Sequence, residues 1–308
     1  MEPGKTGMAY HRLAFFSLIF SFCQREIPIE KTAIVLGSYF KVKIFTENKE
    51  KGKSYLDSIF NLIKYYDSLF SYFNKNSELS LLNKKKAGRI SSELKEIILL
   101  ASEINKKTYG YFDITIAPLM ELWGFYDKNY KRPKEIEIVK IKKFVGKSGY
   151  LLKNDSLYLK KLSKIDLGGI ACGYILDKLV FYLKTRGIKK GIIDAGGDII
   201  VFGNYQAKVG IKDPNKEAII EIIELKDNAC STSGDYYNYF KIGDTIYSHI
   251  INPLTGYPER AINKHRQVTV IGKKAVICDA LSTALLIIPD SLKNKVLENF
   301  KDYQVIFY

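Results

Sequence analysis

The sequence predicts an α+β fold built as one continuous domain, and three observations carry that expectation. Apolar residues recur at helical spacing in several long segments, short strand-like runs crowd the second half, and the two do not alternate in a regular βαβ rhythm. The last point argues against a doubly wound parallel sheet. With 308 residues and 46% hydrophobic content, the chain is long enough to bury a sizeable core. No internal repeat or low-complexity linker divides it.

The chain opens with Arg12 ahead of an apolar run, Leu13 to Phe22, which meets Cys23. Such a run, about ten residues, is too short to span a bilayer as a helix. Behind a positive charge it reads as an export signal. Phe20-Ser21-Phe22-Cys23 resembles a loose bacterial lipobox, with Phe22 where a small residue is usual. Residues 1–23 are therefore expected to be a lipoprotein-type signal cleaved before Cys23, and residues 24–308 the folded domain. That places the protein in the cell envelope, lipid-anchored on the periplasmic side of the inner membrane.

A strand-like segment is expected from Ile34 to Phe45. Leu56, Ile59, Phe60, Ile63, Tyr66 and Phe70 then mark the core face of a helix. A second helix starts near Ser91 or Ser92, with Glu93 suited to its first turn, and ends before Gly110. Asp127 to Lys147 is charged and reads as a surface excursion, and Leu151 to Leu159 as a hairpin around Asn154-Asp155. A third helix follows Gly168-Gly169, with Ile175, Leu179, Val180 and Leu183 inward and Gly187 closing it. Gly191 to Asp194 is a short strand entering the Gly196-Gly197 turn, and further strands run from Ile199 to Leu225 and from Val268 to Ile271. A helix over Val276 to Ile287 stops before Pro289, and a last helix and strand finish the chain.

The chain has 48 Lys and Arg against 33 Asp and Glu, a net charge of +15. The lysines are scattered, with no basic helix interleaved with aromatics and no zinc-finger or RRM-like signature, so a solvated surface is expected and not a nucleic-acid partner. Cys23, Cys172, Cys230 and Cys278 form no CxxC pair and no metal spacing. With Cys23 assigned to the lipid, an odd number remains, so no disulfide framework is expected and the others read as small buried residues.

Five segments concentrate Gly, Asp, Ser, Thr and His. Asp113-Ile114-Thr115 precedes Ala117-Pro118-Leu119 and Leu122-Trp123-Gly124-Phe125, and Asp166-Leu167-Gly168-Gly169-Ile170-Ala171 leads into Gly173-Tyr174 and Asp177. Asp194-Ala195-Gly196-Gly197-Asp198 is a turn. Ser231-Thr232-Ser233-Gly234-Asp235-Tyr236 comes ahead of Ser248-His249-Ile250-Ile251-Asn252-Pro253-Leu254-Thr255-Gly256, and Cys278-Asp279-Ala280-Leu281-Ser282-Thr283 lies on a helix. Gly168-Gly169 at a helix start suits either a phosphate or a plain tight turn, and neither the dinucleotide fingerprint nor a Walker spacing is present. Asp279 and Thr283, four apart on a helix, share a face where a carboxylate and a hydroxyl can ligate magnesium, or where each can serve a local structural purpose. His249 is one of three histidines and fits either a structural role or that of a proton carrier for a hydroxyl.

Taken together and in order, these segments resemble the ApbE family, the FAD:protein FMN transferases, from about Leu36 to the C-terminal helix. The resemblance implies the family's α+β architecture with FAD in a cleft. It implies flavin contacts at Leu36, Tyr72, Asp113, Ile114, Thr115, Gly168, Tyr174 and Ile251, with Leu36 standing where the family often has Met. It implies magnesium held by the backbone oxygen of Ala171 and the side chains of Asp279 and Thr283, with His249 catalytic. The implied reaction moves FMN from FAD to a Thr or Ser hydroxyl of an acceptor protein through a phosphoester bond and releases AMP; such acceptors are typically subunits of membrane redox complexes. Cys172 departs from the Lys common in the I-A-K-G-Y segment, and Asn252 from an Asp before Pro253. Two rival readings use the same cleft: magnesium-dependent hydrolysis of FAD to FMN and AMP, and a non-enzymatic FAD-binding lipoprotein.

Overall fold

A computed structural model describes residues 26–35, 38–236, 238–260 and 266–308. The expected export signal, Cys23 and Leu36 lie outside the described residues. The architecture is α+β, as the sequence predicts.

The chain opens with strands β1 (Ile27–Val35) and β2 (Ser38–Thr46), followed by helix α1 (Lys49–Phe70). The single strand expected over Ile34 to Phe45 is thus parts of two strands paired antiparallel, with Val35 opposite Ser38. Asn48 caps α1 by accepting the Lys51 amide at 2.9 Å, and the stripe from Leu56 to Phe70 is buried as its spacing requires. Next come α2 (Glu78–Lys85), β3 (Ala87–Arg89), α3 (Ser92–Lys107) and α4 (Ala117–Trp123). Ser91 caps α3 through the Leu94 amide. The charged excursion holds a short helix, α5 (Glu135–Lys142), because Ile138 buries itself in a satellite core around Trp123.

The expected hairpin is β4 (Tyr150–Lys153) and β5 (Ser156–Leu159), with Asn154 left-handed at φ 54°. Helix α6 (Ala171–Thr185) follows, then β6 (Gly191–Ala195), β7 (Asp198–Phe202), β8 (Gln206–Lys212), β9 (Ile219–Lys226) and β10 (Ala229–Gly234). Strands β11 (Tyr239–Ile242), β12 (Thr245–Ile251) and β13 (Pro258–Arg260) form a small sheet of their own. Strand β14 (Gln267–Gly272), helices α7 (Ala275–Ile287) and α8 (Asp290–Leu297), and β15 (Gln304–Phe307) complete the chain.

Seven strands make the central antiparallel sheet in the order β1-β2-β6-β7-β10-β14-β15. Its middle strands are buried on both faces, and side chains of alternating parity part company across it. Ile200 and Phe202 of β7 join the main core with the helices, whereas Ile199 and Val201 meet the β8–β9 hairpin on the other side. Helix α7 packs on β10 and β14 and against α6, and is buried almost all round. That explains why its sequence is apolar on every face.

Helices α6 and α7 touch at Gly173. A Cβ there would lie 2.3 Å from the Ala275 carbonyl oxygen, so only glycine permits the approach. Helix α7 has no capping side chain of its own, and Asp177 on α6 supplies one by accepting the Ala275 and Val276 amides at 3.0 and 3.1 Å. The Asp of the G-Y-x-x-D pattern thereby fixes the position of the helix that carries Asp279. Replacing Gly173 by Ala should lower stability by about 1–3 kcal/mol, the usual loss from overpacking, despite alanine's better helix propensity. Thermal unfolding checks this, and an unchanged midpoint contradicts the close approach.

Candidate active site

A cavity of about 420 Å³ opens where the Gly168-Gly169 segment ahead of α6, helix α7, the Gly196-Gly197 turn and β12 converge. Asp113, Ile114, Gly168, His249, Ile251, Asp279 and Thr283 all line it. Their sequence positions span more than half the chain, and they come from loops, from β12 of the small sheet and from α7.

Asp279 is 6% exposed, and its Oδ2 accepts the Gly173 amide at 3.0 Å. The carboxylate therefore faces the opening turn of α6, two residues beyond Ala171, where helix-end amides favour negative charge. Thr283 lies one turn along α7, its Oγ1 3.5 Å from where a Cβ on Gly169 would stand. The expected contact between the Gly168-Gly169 segment and the Asp279–Thr283 edge is thus present. The amides of Gly168, Ile170, Ala171 and Gly173 are already engaged, by Asp166, by the Leu167 carbonyl for the middle two, and by Asp279. Direct phosphate binding by these amides, one option for a glycine pair at a helix start, is displaced by the protein's own groups.

Asp198 closes the glycine turn and accepts a short hydrogen bond from the Ser231 hydroxyl. Burial pushes the Asp279 carboxyl well above its usual range, and the charge of Asp198 adds to the rise. Burial likewise raises Asp198, tempered by the Ser231 hydroxyl and the Cys172 thiol. Among the described residues no ion pair reaches either carboxylate. Ser233 adds a hydroxyl 3.1 Å from Thr283 Oγ1 and 2.8 Å from Ser282 Oγ.

Among the described residues, no group of three or more His, Cys, Asp or Glu side chains gathers as a metal cage. The donors present nevertheless suit magnesium. That ion takes hard oxygens, asks for only one or two carboxylates and keeps several waters or phosphate oxygens. Two buried, mutually repelling carboxylates beside a ring of hydroxyls form such a set, and a cation would relieve their repulsion.

At the opposite wall, Asp113 is held from several directions. Its Oδ1 accepts the Thr115 amide at 2.8 Å and the Thr115 hydroxyl, while Asn105 donates to Oδ2 at 3.0 Å. Burial raises this carboxyl, and those hydrogen bonds oppose the rise. Thr115 is fully buried and also accepts the Gly146 amide at 2.6 Å, so its hydroxyl shapes the loop. Asp166, also lining the cavity, accepts the Gly168 amide at 2.8 Å and a short bond from Tyr126. Tyr126 packs on Tyr72 with ring centroids 4.3 Å apart, and Tyr72 donates to Glu121 at 2.6 Å. Tyr72 therefore stands behind the cavity wall, linked to it through Tyr126 and Asp166. Tyr174 lies farther off: its ring packs on Phe70 and its hydroxyl donates to Glu96 at 2.8 Å.

His249 borders the cavity from β12. Its amide donates to the Asn238 carbonyl at 2.8 Å, and its Nδ1 lies 3.0 Å from the same oxygen. A carbonyl only accepts, so the proton sits on Nδ1 and Nε2 carries a free lone pair. Desolvation lowers the imidazole below its ordinary value, and the Asn238 carbonyl opposes this. The net shift favours the neutral ring, and the Asn238 contact leaves Nε2 unprotonated in it.

Asp166, Asp198, Ser231 and Ser233 are site-lining groups that the sequence reading did not single out one by one. All four stand in segments it did mark, beside glycines that let backbone approach the cavity. Asn252 turns out to be a turn-former, its Oδ1 accepting the Leu254 amide at 2.9 Å.

A seven-stranded antiparallel sheet covered by helices, with a carboxylate- and hydroxyl-lined cavity, defines a single α+β domain with a polar cleft. The chain belongs to the ApbE family, which it matches over residues 36–307. It is 33% identical to the FAD:protein FMN transferase of Buchnera aphidicola subsp. Schizaphis graminum over 297 residues, covering 89% of this chain and 85% of that one. The Escherichia coli K12 protein of the same name is 30% identical over 266 residues, covering 81% and 74%. Among solved structures, the Thermotoga maritima ApbE protein superposes with a TM-score of 0.83 at 30% identity, covering 91% of this chain and 94% of that one. The Vibrio cholerae flavin transferase ApbE gives 0.76 at 25% identity, covering 92% and 93%.

With its pKa lowered, His249 contributes stability that is complete above the free value of 6.5 and is lost as pH falls below it. An NMR titration of the ring, assigned with a His249→Asn variant, should give a midpoint below 6.5. A midpoint at or above that value contradicts the desolvated, carbonyl-tethered imidazole.

Proposed function

We propose that this protein transfers FMN from FAD to a Thr or Ser hydroxyl of an acceptor protein, with magnesium required and AMP released. The observation that carries the reading is the meeting of Asp279 and Thr283 with a neutral His249 around one cavity. Membership in a family whose relatives are named FAD:protein FMN transferase supports it.

Asp279, Thr283 and the Ala171 carbonyl would hold the magnesium. When bound, the ion supplies neutralisation of charge on the diphosphate and on the leaving phosphate. The remaining work falls to the chain's own groups. The acceptor hydroxyl forms a bond to the FMN-side phosphorus, and the bond from that phosphorus to the bridging oxygen breaks, so AMP departs. The hydroxyl proton passes to His249 Nε2, whose ring is oriented by Asn238. Asp113 and Ile114 form the cavity wall opposite, and Tyr72 and Tyr126 buttress Asp166 beside Gly168.

Arg12, the apolar run from Leu13 to Phe22 and Cys23 support a further part of the reading, a lipid anchor facing the periplasm. It would hold the enzyme next to membrane-bound acceptors such as redox-complex subunits.

The test mixes the purified protein with FAD and magnesium, with and without a Thr-containing acceptor fragment. Covalently flavinylated acceptor and AMP in equal amounts are expected, and AMP without labelled acceptor points to hydrolysis by water. FAD left unchanged overturns both. An Asp279→Ala variant should lose at least about 100-fold in rate, a typical loss when a group stabilising transition-state charge is removed. Activity within a few-fold of wild type removes the metal assignment.

A further inference from the structure

A second cavity, of about 550 Å³, lies on the far side of the Gly196-Gly197 turn, between the central sheet and the β8–β9 hairpin. Gly196, Gly197 and Thr232 line both cavities, so the glycine turn is the partition between them. Nothing in the reaction above uses this space.

Two features of its walls are distinctive. The first is charge. Lys41 and Lys43 on β2 and Lys208 and Lys212 on β8 all line it, each pair spaced so that both side chains leave the same face of their strand. Glu30 and Asp194 are the acidic residues present, so lysine is in excess. Lys41 lies 3.7 Å from Glu30, Lys208 4.0 Å from Glu224 and Lys212 2.9 Å from Glu217. These are solvent-exposed pairs of the kind worth little, which an incoming carboxylate can replace.

The second feature is backbone. Five consecutive residues of β8, from Lys208 to Lys212, border the cavity. Successive side chains of a strand point to opposite faces, so an unbroken run along a cavity means that the strand's edge, not a face, borders it. Strand β8 pairs with β9 on one side, and among the described residues its other edge has no strand partner. An edge without a strand partner can take up an extended polypeptide through its amides and carbonyls, which a nucleotide cannot exploit along its length.

We propose that this lysine-lined groove is where the acceptor protein docks, through an extended acidic segment that pairs with the edge of β8. Its carboxylates alternate to meet lysines of β2 and β8, and the segment leads its hydroxyl past the glycine turn into the catalytic cavity. The inference rests on the transferase reading for the acceptor's role, while the groove's preference for an acidic strand is separately measurable.

The probe is a fluorescein-labelled peptide of alternating Asp and Thr, compared with its Asn-Thr counterpart, binding to wild type and to a Lys41→Glu/Lys208→Glu variant. Both lysines are half or more exposed, so the fold should survive their reversal, and FAD affinity reports that it has. The Asp-Thr peptide should bind wild type, weaken with salt, and lose about tenfold or more in the variant, with FAD affinity unchanged. The Asn-Thr peptide should bind poorly to both proteins. Equal binding of the Asp-Thr peptide by wild type and variant overturns the proposal. So does a parallel loss of FAD affinity in a variant with an unaltered unfolding midpoint, because the groove would then belong to the nucleotide. A bound peptide that never becomes flavinylated with FAD and magnesium removes the transferase reading and leaves the docking groove standing.

Discussion

The structure turns on one buried contact, the Asp279 carboxylate on the Gly173 amide, with Asp198 beside it. Two carboxylates in an apolar interior repel, and burial alone disfavours their charge. The protein keeps them there because α6 presents the positive end of its dipole and because Gly173 lets α7 come close enough for the hydrogen bond. Asp177, itself raised to about 6 by burial, secures the same junction from the other direction by capping α7. Together these residues hold two buried carboxylates at the opening turn of α6.

The rest of the cavity follows from that junction. Since α7 lies on β10 and β14, Ser231 and Ser233 of β10 face it and supply hydroxyls to Asp198, Ser282 and Thr283. The small sheet carrying His249 is braced by the aromatic cluster of Trp123, Phe240 and Tyr247, and the Trp123 indole donates to the Gly256 carbonyl at 2.9 Å. The Trp-Gly-Phe and Pro-x-Thr-Gly patterns thus brace the sheet that carries His249, and Pro253 itself lines the cavity. The glycine turn between β6 and β7 has left-handed φ values of 70° and 105° and divides the chemical cavity from the lysine-lined groove.

Much of this was legible in the sequence, for identifiable reasons. Helices α1, α3 and α6 announce themselves through periodicity, because burial on one face leaves a regular trace. Asp279 and Thr283 were visible as a pair because helical geometry alone puts them together. The division into β1 and β2 is hidden inside what reads as a single strand, since alternation continues in both. The short helix around Ile138 was masked by charge, one buried side chain being a weak periodic signal. Asp198 and Asp166 were in view but unassigned. Their roles come from burial and from partners far away in sequence, Ser231 and Tyr126, which spacing cannot reveal. Tyr72 and Tyr174 are marked by resemblance; in the fold Tyr72 packs on Tyr126 and Tyr174 on Phe70.

The central claim is that a divalent cation sits at the edge of α7 facing the opening turn of α6. Anomalous diffraction from crystals grown with manganese and FAD locates it directly. The expected result is a peak at about 2.0–2.3 Å from an Asp279 carboxylate oxygen and the Thr283 hydroxyl, with diphosphate oxygens completing the shell. Manganese bound elsewhere, with Asp279 still engaged only by the Gly173 amide, would contradict the account.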